Sequence, residues 1–138
     1  MASLIPKSRN AMAISLIVLS MLFASVAARE HIVRVNITNG LAQPTPQITV
    51  HCKSKDDDLG FHDLAPSATW GFHFHPRFVT GTLFFCSFAW PGNFHYYDIY
   101  DYNRDSCNDC CWIVRENGPC LCPCNETCDF KDCRPWNK

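Results

Sequence analysis

Ten cysteines lie between residues 52 and 133 of this 138-residue chain, and none precedes Cys52. A domain so rich in thiols folds either as a disulfide scaffold or around metal, and the compartment decides which. The N-terminus speaks to the compartment. Residues 1–10 carry Lys7 and Arg9 and no acid. Residues 11–23 (AMAISLIVLSMLF) are apolar apart from two serines. Ala24-Ser25-Val26-Ala27-Ala28 then precede Arg29-Glu30. A basic start, an apolar middle and a run of small residues make a secretory signal peptide, cut after Ala28. The apolar run is too short for a membrane anchor, which needs roughly 20 residues. In an oxidising compartment Cys52, Cys86, Cys107, Cys110, Cys111, Cys120, Cys122, Cys124, Cys128 and Cys133 are all disulfide candidates. Their even count lets every thiol pair, but spacing leaves the pairing open. Cys107-x-x-Cys110 and Cys120-x-Cys122-x-Cys124 have zinc-like spacing, a reading that a reducing cytosol would favour. No metal or cofactor is expected here.

Removing residues 1–28 takes away two cations and leaves ten against thirteen acidic groups, a net charge of about −3. That balance argues against nucleic acid as a partner, which wants a basic footprint. No second long apolar run follows, so the mature chain should not insert into membranes. About 110 residues make one domain with a modest core, a size at which disulfides matter.

Alternation of period two runs along the chain. Val33, Val35 and Ile37 share one face of a first strand, and Ile48, Val50 and Cys52 share one face of a second. Trp70, Phe72 and Phe74 alternate with Gly71, His73 and His75. Residues 82–90 are apolar on both faces, residues 94–102 are aromatic-rich, and residues 110–115 (CCWIVR) complete six clear strands. Asn39-Gly40, Pro44-Thr45-Pro46, Pro66-Ser67, Pro91-Gly92-Asn93 and Asn117-Gly118-Pro119 punctuate them. The expected fold is all-β, an antiparallel β-sandwich of about six to eight strands, with a barrel as the alternative. Trp70, Phe72, Phe74, Phe84, Phe88, Trp90, Phe94, Tyr96 and Trp112 are the expected aromatic core. Residues 121–138 lack alternation and read as a cysteine-rich extension folded by its cross-links, after a domain spanning residues 29–120.

The segment 50–60 (VHCKSKDDDLG) closely resembles the hallmark of the plant self-incompatibility protein S1 family, the S-protein homologues. Trp70-x-Phe72-x-Phe74, Thr82-x-Phe84-x-Cys86-x-Phe88-x-Trp90, residues 94–100, and Cys107-x-x-Cys110-Cys111-Trp112 through Gly118-Pro119-Cys120 follow in the family's order. The resemblance covers about residues 31–120. It implies a secreted, non-catalytic β-sandwich that acts as an extracellular ligand; some members are stigmatic determinants that inhibit pollen of matching specificity. Family cysteines map onto Cys52, Cys86, Cys107, Cys110 and Cys120. Cys111, Cys122, Cys124, Cys128 and Cys133 depart from that pattern. The implied partner is a cell-surface receptor or another extracellular protein, met by a monomer.

Several constellations invite chemistry. Lys53, Lys55, Asp56, Asp57 and Asp58 cannot all be buried, so residues 53–60 should form an exposed loop and are the recognition-loop candidates. Three carboxylates in series suit a hard cation, but the spaced ligand pattern of a calcium loop is missing. Loops around residues 39–46, 64–68 and 103–109 are further contact candidates. His73 and His75 should share a strand face, and His62 and His95 invite comparison with a two-histidine nuclease, yet no basic cluster awaits phosphate. Ser87 and Ser106 lie in no G-x-S-x-G context. Asn36-Ile37-Thr38 and Asn125-Glu126-Thr127 are glycosylation candidates. A binding protein fits best. A cysteine-rich defence protein is the alternative, weakened by the acidic charge, and a secreted hydrolase is a distant third.

Overall fold

The computed structural model describes residues 13–22, 31–44 and 46–138. The chain divides into two compact units, Met1–His31 and Ile32–Lys138. The first contains a helix over residues 13–22. The basic start and the cleavage site expected after Ala28 lie outside the described residues.

The described residues of the second unit hold nine strands: β1 (Val33–Asn39), β2 (Ile48–Lys53), β3 (Asp58–Leu64), β4 (Thr69–Phe74), β5 (Leu83–Trp90), β6 (Asn93–Asp101), β7 (Asp109–Arg115), β8 (Gly118–Cys122) and β9 (Asp132–Cys133). They form two sheets, ordered β4-β1-β7-β8-β9 and β3-β2-β5-β6. The alternating apolar residues face between the sheets, as period-two patterning requires. Val33, Val35 and Ile37 of β1, Ile48, Val50 and Cys52 of β2, and Cys110, Trp112 and Val114 of β7 are all buried. The rings of Phe72, Phe74, Phe84 and Tyr100 continue this core, with centroids 4.6–4.9 Å apart between Phe84 or Tyr100 and their partners on β4. The all-β sandwich is therefore as expected, with one refinement. β1 runs parallel to β7, and every other pairing is antiparallel.

Three strands were not expected. β3 begins inside the segment read as a loop, because the exposed loop is only residues 54–57 and Asp58 already pairs with Lys53. Its outward residues include Phe61 and Asp63, a mixture that blurs the period-two signal. β8 crosses the boundary drawn at Cys120, and β9 is two residues long.

Two expected core rings face solvent. Phe94 is 59% exposed and Tyr96 is 52% exposed. The register explains it: Phe94 pairs with Ala89 and Tyr96 with Ser87, both on the outer face of β5, while Tyr97 and Ile99 point inward. In a strand a shift of one residue exchanges the two faces.

All ten cysteines pair: Cys52–Cys86, Cys107–Cys110, Cys111–Cys124, Cys120–Cys133 and Cys122–Cys128. The first joins the adjacent strands β2 and β5 within the core. The last three bind the segment after β8 onto the outer side of β7 and β8. Cys120, which the family pattern groups with the domain, thus anchors the extension. Burial also holds that extension, contrary to the sequence reading. Cys122 is buried, Leu121 and Trp136 pack against the core, and the Trp136 ring stacks on His95 at 4.8 Å and meets Phe88 at 5.1 Å. Trp136 Nε1 donates to the Glu116 carbonyl and Asn137 N to the Tyr96 carbonyl. The C-terminus so straps the two sheets together.

Candidate functional site

Two surfaces stand apart from the core. The first is a cluster of loops at one end of the sandwich. The β2–β3 turn (54–57), the β4–β5 loop (75–82) and the β6–β7 loop (102–108) meet there. Tyr102 N donates to the Thr82 carbonyl, Arg34 N to the Asn108 carbonyl, and an Arg77–Asp56 pair at 3.8 Å links the first two loops. Of the contact candidates at 39–46 and 64–68, the described residues lie at the other end of the sandwich, tied by Asn39 N to the Ala68 carbonyl and Ser67 N to the Asn39 carbonyl. Sequence reasoning put all four loops into one set; the topology sorts them into two ends.

The five recognition-loop candidates take different roles. Lys53 ends β2 and Asp58 begins β3. Asp58 Oδ1 accepts the Gly60 amide at 3.0 Å and sits 2.6 Å from His51 Nε2. The Gly60 amide, with His51 beside it, holds the Asp58 carboxyl below its usual range. Gly60 itself adopts a positive φ of 77°, which a side chain would strain. Asp58 is therefore committed to the turn. Lys55, Asp56 and Asp57 are exposed on it, braced by Asp57 N to Ser54 Oγ and Ser54 N to the Asp57 carbonyl. Next to them the β4–β5 loop presents Phe78 and Val79, 75% and 85% exposed. Their apolar character was legible in the sequence, but nothing in the pattern showed that they escape the core.

The second surface is the outer face of the β3-β2-β5-β6 sheet. Phe61, Phe85, Phe94 and Tyr96 are exposed there, around a hollow of about 340 Å³ that His51, Lys53 and Ser87 also line. A larger hollow of about 510 Å³ lies beside the β7–β8 turn, where the Arg115 guanidinium rests 4.6 Å from the Phe130 ring centroid.

The other candidates are dispersed. His62 stacks on Trp70 at 4.0 Å and has Nε2 2.7 Å from the Leu59 carbonyl. His95 stacks on Trp136, and His73 faces out from β4 opposite Arg34. No group of three or more His, Cys, Asp or Glu among the described residues is placed to hold a metal ion. Asn36 lies mid-strand on the outer side of β1, half-buried, with Nδ2 3.9 Å from Cys111 Sγ; Asn125 is exposed in the C-terminal extension. One cluster went unread in the sequence. Arg104 grips the buried Asp105 carboxylate through Nε at 3.0 Å and Nη2 at 2.7 Å, and Arg134 approaches the same carboxylate at 3.5 Å. Arg134 also clasps Asp132 and lies over the Trp112 ring at 5.2 Å. The Asp132 carboxylate pushes the Arg134 guanidinium further up, and Arg134 in turn holds Asp132 below its usual range. These ion pairs fix the C-terminal extension to the β6–β7 loop.

The sequence model of the plant self-incompatibility protein S1 family matches residues 34–136, a span that takes in most of the segment after Cys120. S-protein homolog 2 of Arabidopsis thaliana is 47% identical over 113 residues, 75% of this chain and 68% of the relative. S-protein homolog 20 of the same plant is 39% identical over 120 residues, 84% of each. A solved structure of an SPH (Self-Incompatibility Protein Homologue) protein superposes with a TM-score of 0.51 at 18% identity, covering 78% of this chain and 96% of that one. That structure's proteins are described as a widespread family of small, highly stable, secreted proteins from plants. No helix among the described residues is long and apolar enough to cross a membrane. With the family's motif order, its sandwich and these relatives in agreement, the chain belongs to the plant self-incompatibility protein S1 family.

Proposed function

We infer that this protein is secreted and works by binding, as an extracellular ligand whose loop end meets a cell-surface partner. The observation that carries this reading is the pair Phe78 and Val79, apolar side chains on a loop tip that folding leaves unused, set beside the charged turn of Lys55, Asp56 and Asp57. Apolar anchors ringed by polar groups are the pattern of a binding hot spot. The disulfide scaffold behind them limits the conformational entropy lost on association. Loops carried on a rigid sandwich are also where binding residues concentrate.

The test is saturable binding of the labelled protein to intact plant protoplasts. Phe78→Asp/Val79→Asp and Asp56→Lys/Asp57→Lys should each weaken it at least tenfold, while Gln47→Lys at the opposite end leaves it unchanged. Equal binding by all three variants removes the loop end from the interface. Asp58 is left intact in this design, since its carboxylate serves the turn.

A further inference from the structure

The outer face of the β3-β2-β5-β6 sheet is used neither by the core nor by the loop end. Cross-strand pairing arranges it in rows. One row runs Phe61, His51, Ser87, Tyr96. The rows beside it bring Phe94 next to Ala89 and Thr49 on one side, and Phe85 between Lys53 and Asp98 on the other. Exposed rings thus stand at both ends of the central row, with two polar side chains as the floor between them. The Phe61 ring lies 4.0 Å from His51, and Phe94 meets Tyr96 edge-on at 5.1 Å. Ser87 and Tyr96 bring their hydroxyls to this face, paired across β5 and β6.

We propose that this face is a carbohydrate-binding platform for an extended neutral glycan. Three features select that occupant. Its chemistry is mixed: rings that can stack on the C–H faces of sugar rings alternate with hydroxyls and an ammonium that can bond their edges. Its size is small. Four strands about 4.8 Å apart and a run of four residues along them span roughly 200 Å², about a quarter of the 800 Å² that each side of a specific protein interface contributes. A slender chain fits where a protein partner would overhang. Its charge is the third feature. Asp58, Asp63 and Asp98 rim the face against the single lysine, Lys53, so a uronate or sulfated chain meets like charge.

The proposal goes beyond the loop-end reading and is tested separately. The full-length protein, made in an oxidising secretory host, is titrated calorimetrically with hexaoses of β-1,4-glucose, β-1,4-xylose and β-1,3-glucose, and with hexagalacturonate. At least one neutral hexaose should bind, and hexagalacturonate should bind at least tenfold more weakly. Phe61→Ala and Tyr96→Ala should each weaken the neutral hexaose about tenfold, the worth of one lost stacking contact. His73→Ala, on the outer face of the other sheet, should not. Both aromatic substitutions are at exposed positions, and unchanged near-UV circular dichroism will show that the fold persists. Heat from none of the neutral hexaoses, preference for hexagalacturonate, or affinity indifferent to Phe61 and Tyr96 overturns the proposal. The Asp56→Lys/Asp57→Lys variant separates the two readings: it should lose protoplast binding and keep the glycan.

Discussion

Gly118 shows how one residue commits a whole segment. It turns between β7 and β8 with a φ of 141°, and a methyl group there would sit inside the Arg134 carbonyl of the returning chain. Gly118→Ala should therefore cost more than about 1 kcal/mol, the usual penalty where φ is positive, and urea unfolding will measure it. Glu116, two residues earlier, accepts the Ala42 amide at 2.6 Å, and that bond holds its carboxyl below the usual range. A depressed folded value means the contribution is complete above the unfolded value and fades as pH falls through the folded one. Asp132 and Asp58 have the same sign. Thermal stability should then be flat from neutral pH to about pH 5 and decline below about pH 4. Glu116→Gln should flatten that decline while lowering stability at pH 7 by less than about 1 kcal/mol, since the group is exposed. The Gly118 and Glu116 effects were not visible beforehand, because each depends on a backbone group brought from elsewhere along the chain.

Among the strands, legibility followed one-sided burial. β1, β2 and β7 bury every second side chain, and their alternation marked them plainly. β6 was found but read one residue out of phase, since Phe94, Tyr96, Tyr97 and Tyr100 put rings on both faces. β3 was hidden by Asp58 and Asp63, and β9 is too short to have a pattern. The C-terminal extension is the largest departure: cysteines announced its cross-links, but Trp136 gave no sign that it would close over Phe88 and Trp90. Trp136→Ala should destabilise by about 2–3 kcal/mol, toward the low end for a buried aromatic because the ring is only partly covered. A melting temperature lower by roughly 8 °C or more is the corresponding readout. Replacing Cys120 and Cys133 together with serine should cost about 2–4 kcal/mol, the range for a native disulfide; a loss near zero would mean that the ion pairs of Arg134 hold the segment unaided.

At the scale of the molecule, non-reducing peptide mapping should return Cys52–Cys86, Cys107–Cys110, Cys111–Cys124, Cys120–Cys133 and Cys122–Cys128. Cys111–Cys124 interlaces with each of the other two in the C-terminal set, and Cys122–Cys128 nests inside Cys120–Cys133. The fold class followed from turn spacing and alternation, whereas strand order did not. Which strand lies beside which is a long-range choice, and the β1–β7 pair joins residues some 75 positions apart. That pair has a consequence for how the chain comes into being. β1 is made first, yet it ends in the interior of its sheet, with both neighbours, β4 and β7, still to come. Until β7 is made, one side of β1 has unsatisfied amides and carbonyls, the condition that invites pairing with the wrong chain. A ribosome that stops short of Arg115 therefore leaves a product with an open seam rather than a smaller working domain.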